Sequence, residues 1–222
     1  MSVGVYNGAY TVSSTEEATG SALFANNVYN RNFEVTNNVY ALDGIGVNPA
    51  SAQTTTTLGS NSFNTPTGTI FANMYHLRGG NTNNVVVSLE IGIANTTNAG
   101  TTIQVAMIDT ATFFADGYQS LSDLNGNVAE SDFYTVTAAD VSQGYADVVF
   151  VQVYNAAPNA YYACAELYSN SNSSDIVVVD DETVLQPGSA SMIYIPGDQS
   201  YGNGEAIAIR LLMGDQWSAG LN

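Results

Sequence analysis

Between residues 85 and 93 the chain alternates without a break. Val85, Val87, Leu89, Ile91 and Ile93 are apolar, and Val86, Ser88, Glu90 and Gly92 separate them. A period of two marks a strand with one buried face. Asn95 to Gly100 then supplies turn chemistry, and Ile103, Val105 and Met107 alternate with Thr102, Gln104 and Ala106. The two runs read as a hairpin. Val148-Val149-Phe150-Val151 is apolar at both parities, which suits a central strand between two layers. Further strands are expected at Tyr161 to Tyr168, Ile176 to Val179, Met192 to Ile195 and Ala206 to Met213, where Ile207, Ile209 and Leu211 share a face. Pro187-Gly188, Pro196-Gly197 and Gly202-Asn203-Gly204 punctuate them. Helical signals are few: a short stretch at Phe113 to Leu124, and one turn from Thr137 to Val141 capped by Thr137. The expected fold is all-β, a β-sandwich or jelly roll.

Residues 69–222 carry that pattern. Residues 1–68 differ, with Asn26-Asn27, Asn37-Asn38 and the run Thr54-Thr55-Thr56-Thr57. They hold short β-like pieces at Val3 to Val12 and Phe33 to Leu42 without sustained alternation. This stretch reads as an extended N-terminal arm, laid on a neighbour or on the edge of its own domain. Long surface loops of the same domain are the alternative.

The charge narrows the partners. The 222 residues carry 20 acids, no lysine, and only Arg31, Arg78 and Arg210, for a net charge of −17. Cations are missing rather than carboxylates in excess. Nucleic acid is excluded as a main partner, because neutralising phosphates takes a basic patch. An anionic membrane surface is disfavoured on the same ground, and no apolar run approaches the ~20 residues that span a bilayer. The single Cys164 lies in Tyr161-Tyr162-Ala163-Cys164-Ala165 and reads as a buried structural thiol. Met1 to Tyr6 shows neither the positive region nor the apolar core of an export signal. Yet the wealth of Asn, Thr, Ser, Gly and Tyr is of an outside-facing kind. A virion protein, made inside a cell and exposed later, reconciles the two; so does a mature secreted protein given a new Met.

Three segments resemble the Ig-like β-sandwich repeats of bacterial and archaeal surface proteins. They are Val87 to Asp109 with its Ala94-Asn95-Thr96-Thr97-Asn98-Ala99-Gly100 turn, Phe133 to Gly144, and Leu185-Gln186-Pro187-Gly188-Ser189-Ala190. Viral capsid and decoration β-sandwich proteins share the same turn-and-strand grammar. The resemblance implies a sandwich and a non-catalytic, outward-facing role, and it carries over no functional residue.

Catalytic side chains are scarce. His76, the single histidine, reads as a strand residue without a nucleophile elbow nearby. One His and one Cys cannot build a His/Cys zinc site, and a chain without lysine has no Schiff base and no P-loop. Asp180, Asp181 and Glu182 read as a solvated turn. No cofactor is expected, with one exception. Asp123, Asn125, Asn127, Glu130 and Asp132 gather oxygen ligands around Gly126 in a way that suits calcium, although the spacing is not that of an EF-hand. A polar loop of Asx turns is the plainer reading. The tyrosines suit a subunit interface or a glycan-binding face. Tyr161, Tyr162 and Tyr168 fit core packing equally well, whereas Tyr6, Tyr10, Tyr29 and Tyr40 of the arm would make assembly anchors. The expectation is a non-enzymatic structural subunit of a virion, a capsid or capsid-decoration protein. It would assemble with itself and with other subunits through β-edge and arm contacts. The alternatives are an extracellular or cell-surface filament, S-layer or adhesin subunit, and a carbohydrate-binding module meeting a host glycan.

Overall fold

The computed structural model describes residues 4–12, 27–35, 39–45, 55–59, 67–77, 85–110, 120–121, 127–157, 159–168, 176–197 and 200–214. Apolar alternation becomes strand wherever it was read in the body. The strands are β1 (Gly4–Val12), β2 (Asn27–Val35), β3 (Val39–Tyr40), β4 (Thr55–Gly59), β5 (Thr69–Leu77), β6 (Val85–Gly92), β7 (Thr102–Asp109) and β8 (Asn127–Glu130). β9 (Tyr134–Thr135) precedes one short helix, α1 (Ala138–Gln143). β10 (Tyr145–Asn155), β11 (Asn159–Tyr168), β12 (Val177–Leu185), β13 (Ser191–Tyr194), β14 (Ser200–Gly202), β15 (Glu205–Ile207) and β16 (Ile209–Gly214) follow.

All ladders are antiparallel, and the protein is an all-β sandwich. A front sheet has the order β10-β6-β16-β3, and a back sheet the order β14-β13-β5-β11-β7-β8, with β9 also paired to β7. A side sheet, β15-β12-β4, joins the front one through the Ile93–Val178 bridge. β1 and β2 form a separate ribbon. The main core lies between front and back sheets, where Leu89, Ile91, Ile209 and Leu211 meet Phe71, Val105, Met107 and Ala163. The far face of the back sheet is buried too. Ile70, Ala72, Ala106, Ile108, Tyr162 and Cys164 pack there with Leu121, so Cys164 is the inert thiol expected, with burial pushing its pKa up.

The stretch read as an arm divides in two. Its first strands make the ribbon, while β3 pairs with β16 and β4 with β12, so Val39–Tyr40 and Thr55–Gly59 belong to the sheets of the body itself.

Four local readings are corrected. β6 and β7 are not a hairpin: β6 belongs to the front sheet and β7 to the back one, and the turn between them crosses the sandwich. The alternation of β6 changes phase at Val87. Both neighbouring ladders break register there, since Ser88 faces Val149 and Leu212 while Val86 faces Tyr154 and Met213. Val86, not Val87, therefore enters the core. Val148 to Val151 is not a central strand, because β10 ends the front sheet among the described strands; Val148 and Phe150 are buried, and Val149 and Val151 are exposed. Finally, Asp180 and Asp181 are no solvated turn. They lie in β12 and are buried, with only Glu182 exposed.

The chain passes from the side sheet to the front sheet at Ala208, between β15 and β16. Leaving a ladder frees backbone groups that burial would make costly. The Ala208 N–H donates to the Val179 carbonyl at 2.8 Å, and its own carbonyl accepts from the Gly92 N–H at 2.7 Å. The approach is so close that a Cβ on Gly92 would sit 2.6 Å from that of Ala208. The carbonyls on either side are met from across the core. Asn73 Nδ2 donates to the Ile207 carbonyl at 2.5 Å, and the Tyr75 hydroxyl donates to that of Ile209 at 2.6 Å. Asn73 Oδ1 in turn accepts from the Ser191 hydroxyl at 2.9 Å. Two polar side chains of the back sheet thus hold the switch point of the front one.

The Thr137 cap read from the sequence is present as a full capping box. Thr137 accepts from the Asp140 N–H, and the Asp140 carboxylate accepts from the Thr137 N–H at 2.8 Å. α1 stops at Gly144, whose φ of 88° is a left-handed conformation that favours glycine. Burial alone would raise the Asp140 pKa, but hydrogen bonds from the Thr137 backbone and hydroxyl and from Tyr134 outweigh it, and the net shift is downward.

Two measurements follow. Asn73→Leu, of similar volume, strands the Ile207 carbonyl and the Ser191 hydroxyl and should cost about 2 to 3 kcal/mol in urea unfolding. Asp140→Asn should cost about 1 kcal/mol at pH 7. Because the folded pKa of Asp140 lies below its ordinary 3.8, that contribution is present above the unfolded pKa and lost as pH falls through the folded one. The gap between the two proteins should therefore close in acid; a gap unchanged at pH 2 would contradict it.

Candidate functional site: the outer margin of β10

β10 is apolar at both parities, and only one parity can face the core. Ala146, Val148 and Phe150 do so. Val149 is 63% exposed and Val151 60%, and Val153 beyond them is 42% exposed. A register break separates the last two from β6: residues 150–153 stand against Val87 alone. A stripe of exposed valines on the end strand of a sheet is unusual, because natural edges are normally blunted with charge or proline.

The stripe has a polar and aromatic border. β9 and the loop before it bring Asp132, Phe133 and Tyr134 alongside, and with Asp147 to Val151 they line an open hollow of about 240 Å³. Phe133 is 58% exposed and meets Tyr168 edge-on, with ring centroids 5.3 Å apart. The Tyr134 hydroxyl donates to Asp140 at 2.8 Å; burial first, then that carboxylate, pushes its pKa up to about 12. Burial, with the nearby Asp140 charge, also raises the pKa of Asp147. The margin is therefore apolar at its centre and acidic at its border.

The front sheet turns polar further in. Asp147 of β10 is in register with Glu90 of β6, and Glu90 with Arg210 of β16. Arg210 grips Asp43 in a bidentate pair, Nη2 to Oδ1 at 2.6 Å and Nε to Oδ2 at 3.0 Å. It also donates to Glu90 at 2.8 Å and to the Ile45 carbonyl at 2.8 Å. Burial would loosen the Arg210 proton, but Asp43 and Glu90 outweigh it and raise the pKa further. The adjacent Gly44 N–H donates to Asp181, whose other oxygen accepts from the Thr183 N–H and hydroxyl. These acids are engaged in holding residues 43–45 to two sheets. That arrangement is a structural clasp rather than a pair of carboxylates flanking an open cleft.

The candidate residues from the sequence scatter. Asp123 and Asn125 lie outside the described residues, Asn127 opens β8, Glu130 closes it, and Glu130 and Asp132 are exposed. Among the described residues no group of three His, Cys, Asp or Glu side chains gathers in a way that could hold a metal. Tyr40 is half-buried and packs against the core of its own chain. Tyr6, Tyr10 and Tyr29 fall in the ribbon, where Tyr10 is paired with Tyr29 and Tyr6 with Phe33. Tyr161 and Tyr162 are core residues, and His76 is exposed on β5. The valine stripe and Phe133 were not singled out from the sequence, although the apolar double parity of β10 was its signal.

Compared with known proteins, the chain matches no family model, no curated protein and no solved structure.

The clasp yields a prediction. Arg210→Met leaves the Asp43 carboxylate, whose side chain is fully buried, without its cation, and should cost about 3 to 5 kcal/mol in urea unfolding. Adding Asp43→Leu should restore most of that loss. A double variant as unstable as the single one would show that the pair itself, not the stranded charge, carries the energy.

Proposed function

We propose that the chain is a non-enzymatic structural subunit that assembles with copies of itself, of the kind that builds or decorates a virion. The carrying observation is the exposed Val149, Val151 and Val153 stripe on the end strand of the front sheet. Covering those valines is worth about 1 to 2 kcal/mol each, and exposed apolar patches with polar rims mark protein contacts. The outside-facing composition and the likeness to Ig-like sandwich repeats support the same reading. So does the engagement of Asp43, Asp140 and Asp181 in internal hydrogen bonds, which leaves them poorly placed for acid–base work. A cell-surface filament or S-layer subunit would use the same contact in another setting.

Size-exclusion chromatography with light scattering on the full chain should show species well above the 23.3 kDa of one copy. Val149→Lys combined with Val151→Lys should weaken association roughly 100-fold, at about 1.4 kcal/mol per tenfold, and leave the far-UV circular dichroism unchanged. A wild-type chain that stays monomeric at millimolar concentration would sink the proposal.

A further inference from the structure

The valine stripe of β10 begins beside a carboxylate that has no cation. From Tyr145 to Val149, ahead of the register break, β10 pairs with β6 rung by rung. Ala146 and Val148 of that stretch face the core, so Asp147 and Val149 are neighbours on the outer face. Both are exposed. Whatever covers Val149 and Val151 also comes against Asp147.

The groups around Asp147 are nearly all acids. Glu90 stands directly across from it on β6, and like charges opposed in this way repel. Asp140 of α1 acts on it from the helix just before β10. Asp132 and Tyr134 line the hollow beside it, and β8, which also packs against β10, ends in Glu130. Among the described residues of this neighbourhood the single cation is Arg210, one strand further along the row, and it is taken by Asp43 and Glu90. Asp147 itself makes no hydrogen bond and no ion pair among the described residues. Its pKa already stands above the ordinary 3.8, first through burial and then through the charge of Asp140.

Burying an unpaired carboxylate is costly, and a group so placed takes up a proton instead. We propose that self-association through the β10 margin is coupled to proton uptake: covering the stripe forces Asp147 into its neutral form, so copies join more tightly as the medium acidifies. This rests on the self-assembly reading and adds the condition that regulates it. A group more easily protonated in the assembly than in the free chain favours assembly as pH falls through its pKa in the contact, and the gain levels off below its pKa in the free chain. Between those limits each Asp147 covered should strengthen association about tenfold per pH unit. A two-fold contact covers two such groups, one from each copy, so the slope also reports the geometry of the contact.

Sedimentation of the full chain from pH 7 to pH 5 tests this, with Asp147→Asn and Glu182→Gln beside it. That range keeps the protein above its isoelectric point of about 4.1. The wild type should associate more tightly at each step down in pH. Asp147→Asn keeps the shape of the side chain and removes its charge. It should associate about tenfold more tightly than the wild type at pH 7 and lose most of the pH dependence. Glu182→Gln removes an exposed charge from β12 and should follow the wild type. Molar salt, where the Debye length is about 3 Å, screens the general repulsion between copies and should leave the slope in place. Should Asp147→Asn misfold by circular dichroism, dilution calorimetry of the wild type in buffers of differing ionisation enthalpy counts the protons released as copies separate, and a count of zero overturns the proposal. Weaker association of Asp147→Asn would mean that a neighbour brings an arginine to Asp147, and would overturn it while leaving self-assembly intact. So would a pH profile that Glu182→Gln shifts as far as Asp147→Asn does, or one that vanishes in molar salt, since either reports net charge alone. A chain that stays monomeric at millimolar concentration from pH 7 to pH 5 would overturn both readings.

Discussion

A single guanidinium organises the front of the molecule. Arg210 sits on β16, beside the central β6, and fixes Asp43, Glu90 and the Ile45 carbonyl at once. Through residues 43–45 it ties the early part of the chain to a strand near the far end of the described sequence. The pair is costly to break more than it is favourable to form, because a desolvated carboxylate without its partner is what folding cannot tolerate. Its effect is therefore one of position: only one placement of residues 43–45 satisfies Asp43, Gly44 and Asp181 together. Elsewhere the chain buries carboxylates without cations. Glu166 accepts from the Leu121 N–H at 2.7 Å, Asp181 from Gly44 and Thr183, and Asp140 from Thr137. Backbone amides and hydroxyls stand in for the lysines that the sequence does not have.

Local features of the fold were legible in the sequence, and features set by distant partners were not. The Thr137 cap depends on residues three apart, and it was read correctly down to the capping residue. The burial of Cys164 followed from its apolar neighbours. The phase change at Val87 could not be read from β6 itself, because it is imposed by where β10 and β16 break register on either side. Asp180 and Asp181 looked like a solvated run because their donors, Asn203 and Gly44, come from remote parts of the chain. The turn at Asn95 to Gly100 has the composition of a hairpin turn, and composition does not say whether the second strand returns to the same sheet. The candidate site failed for a related reason. Apolar residues at both parities of β10 signal two covered faces, and the sequence offers an inner layer as readily as another molecule.

The sandwich and the proposed contact share one economy. The back sheet is buried on both faces, with Leu121 helping to cover the outer one. The front sheet instead presents its outer face, charged near its middle at Glu90 and Arg210 and apolar at its β10 margin. A net charge of −17 makes random association between copies unfavourable at low salt. For the self-assembly proposed above, apolar area such as that of Val149 and Val151 would have to overcome this repulsion.

The position of β16 also sets a schedule. It is the latest of the described strands along the chain, yet it lies between β6 and β3 in the front sheet. On a ribosome the middle of that sheet arrives after its neighbours on both sides. Until it emerges, β6 has one bare side, Asp43 has no Arg210 to meet, and β3 has no strand to pair with. Chains cut short before residue 209 would lack the strand on which β3 pairs and the guanidinium that meets Asp43. The front sheet can thus close only once residues 209–214 have been made, after every other described strand.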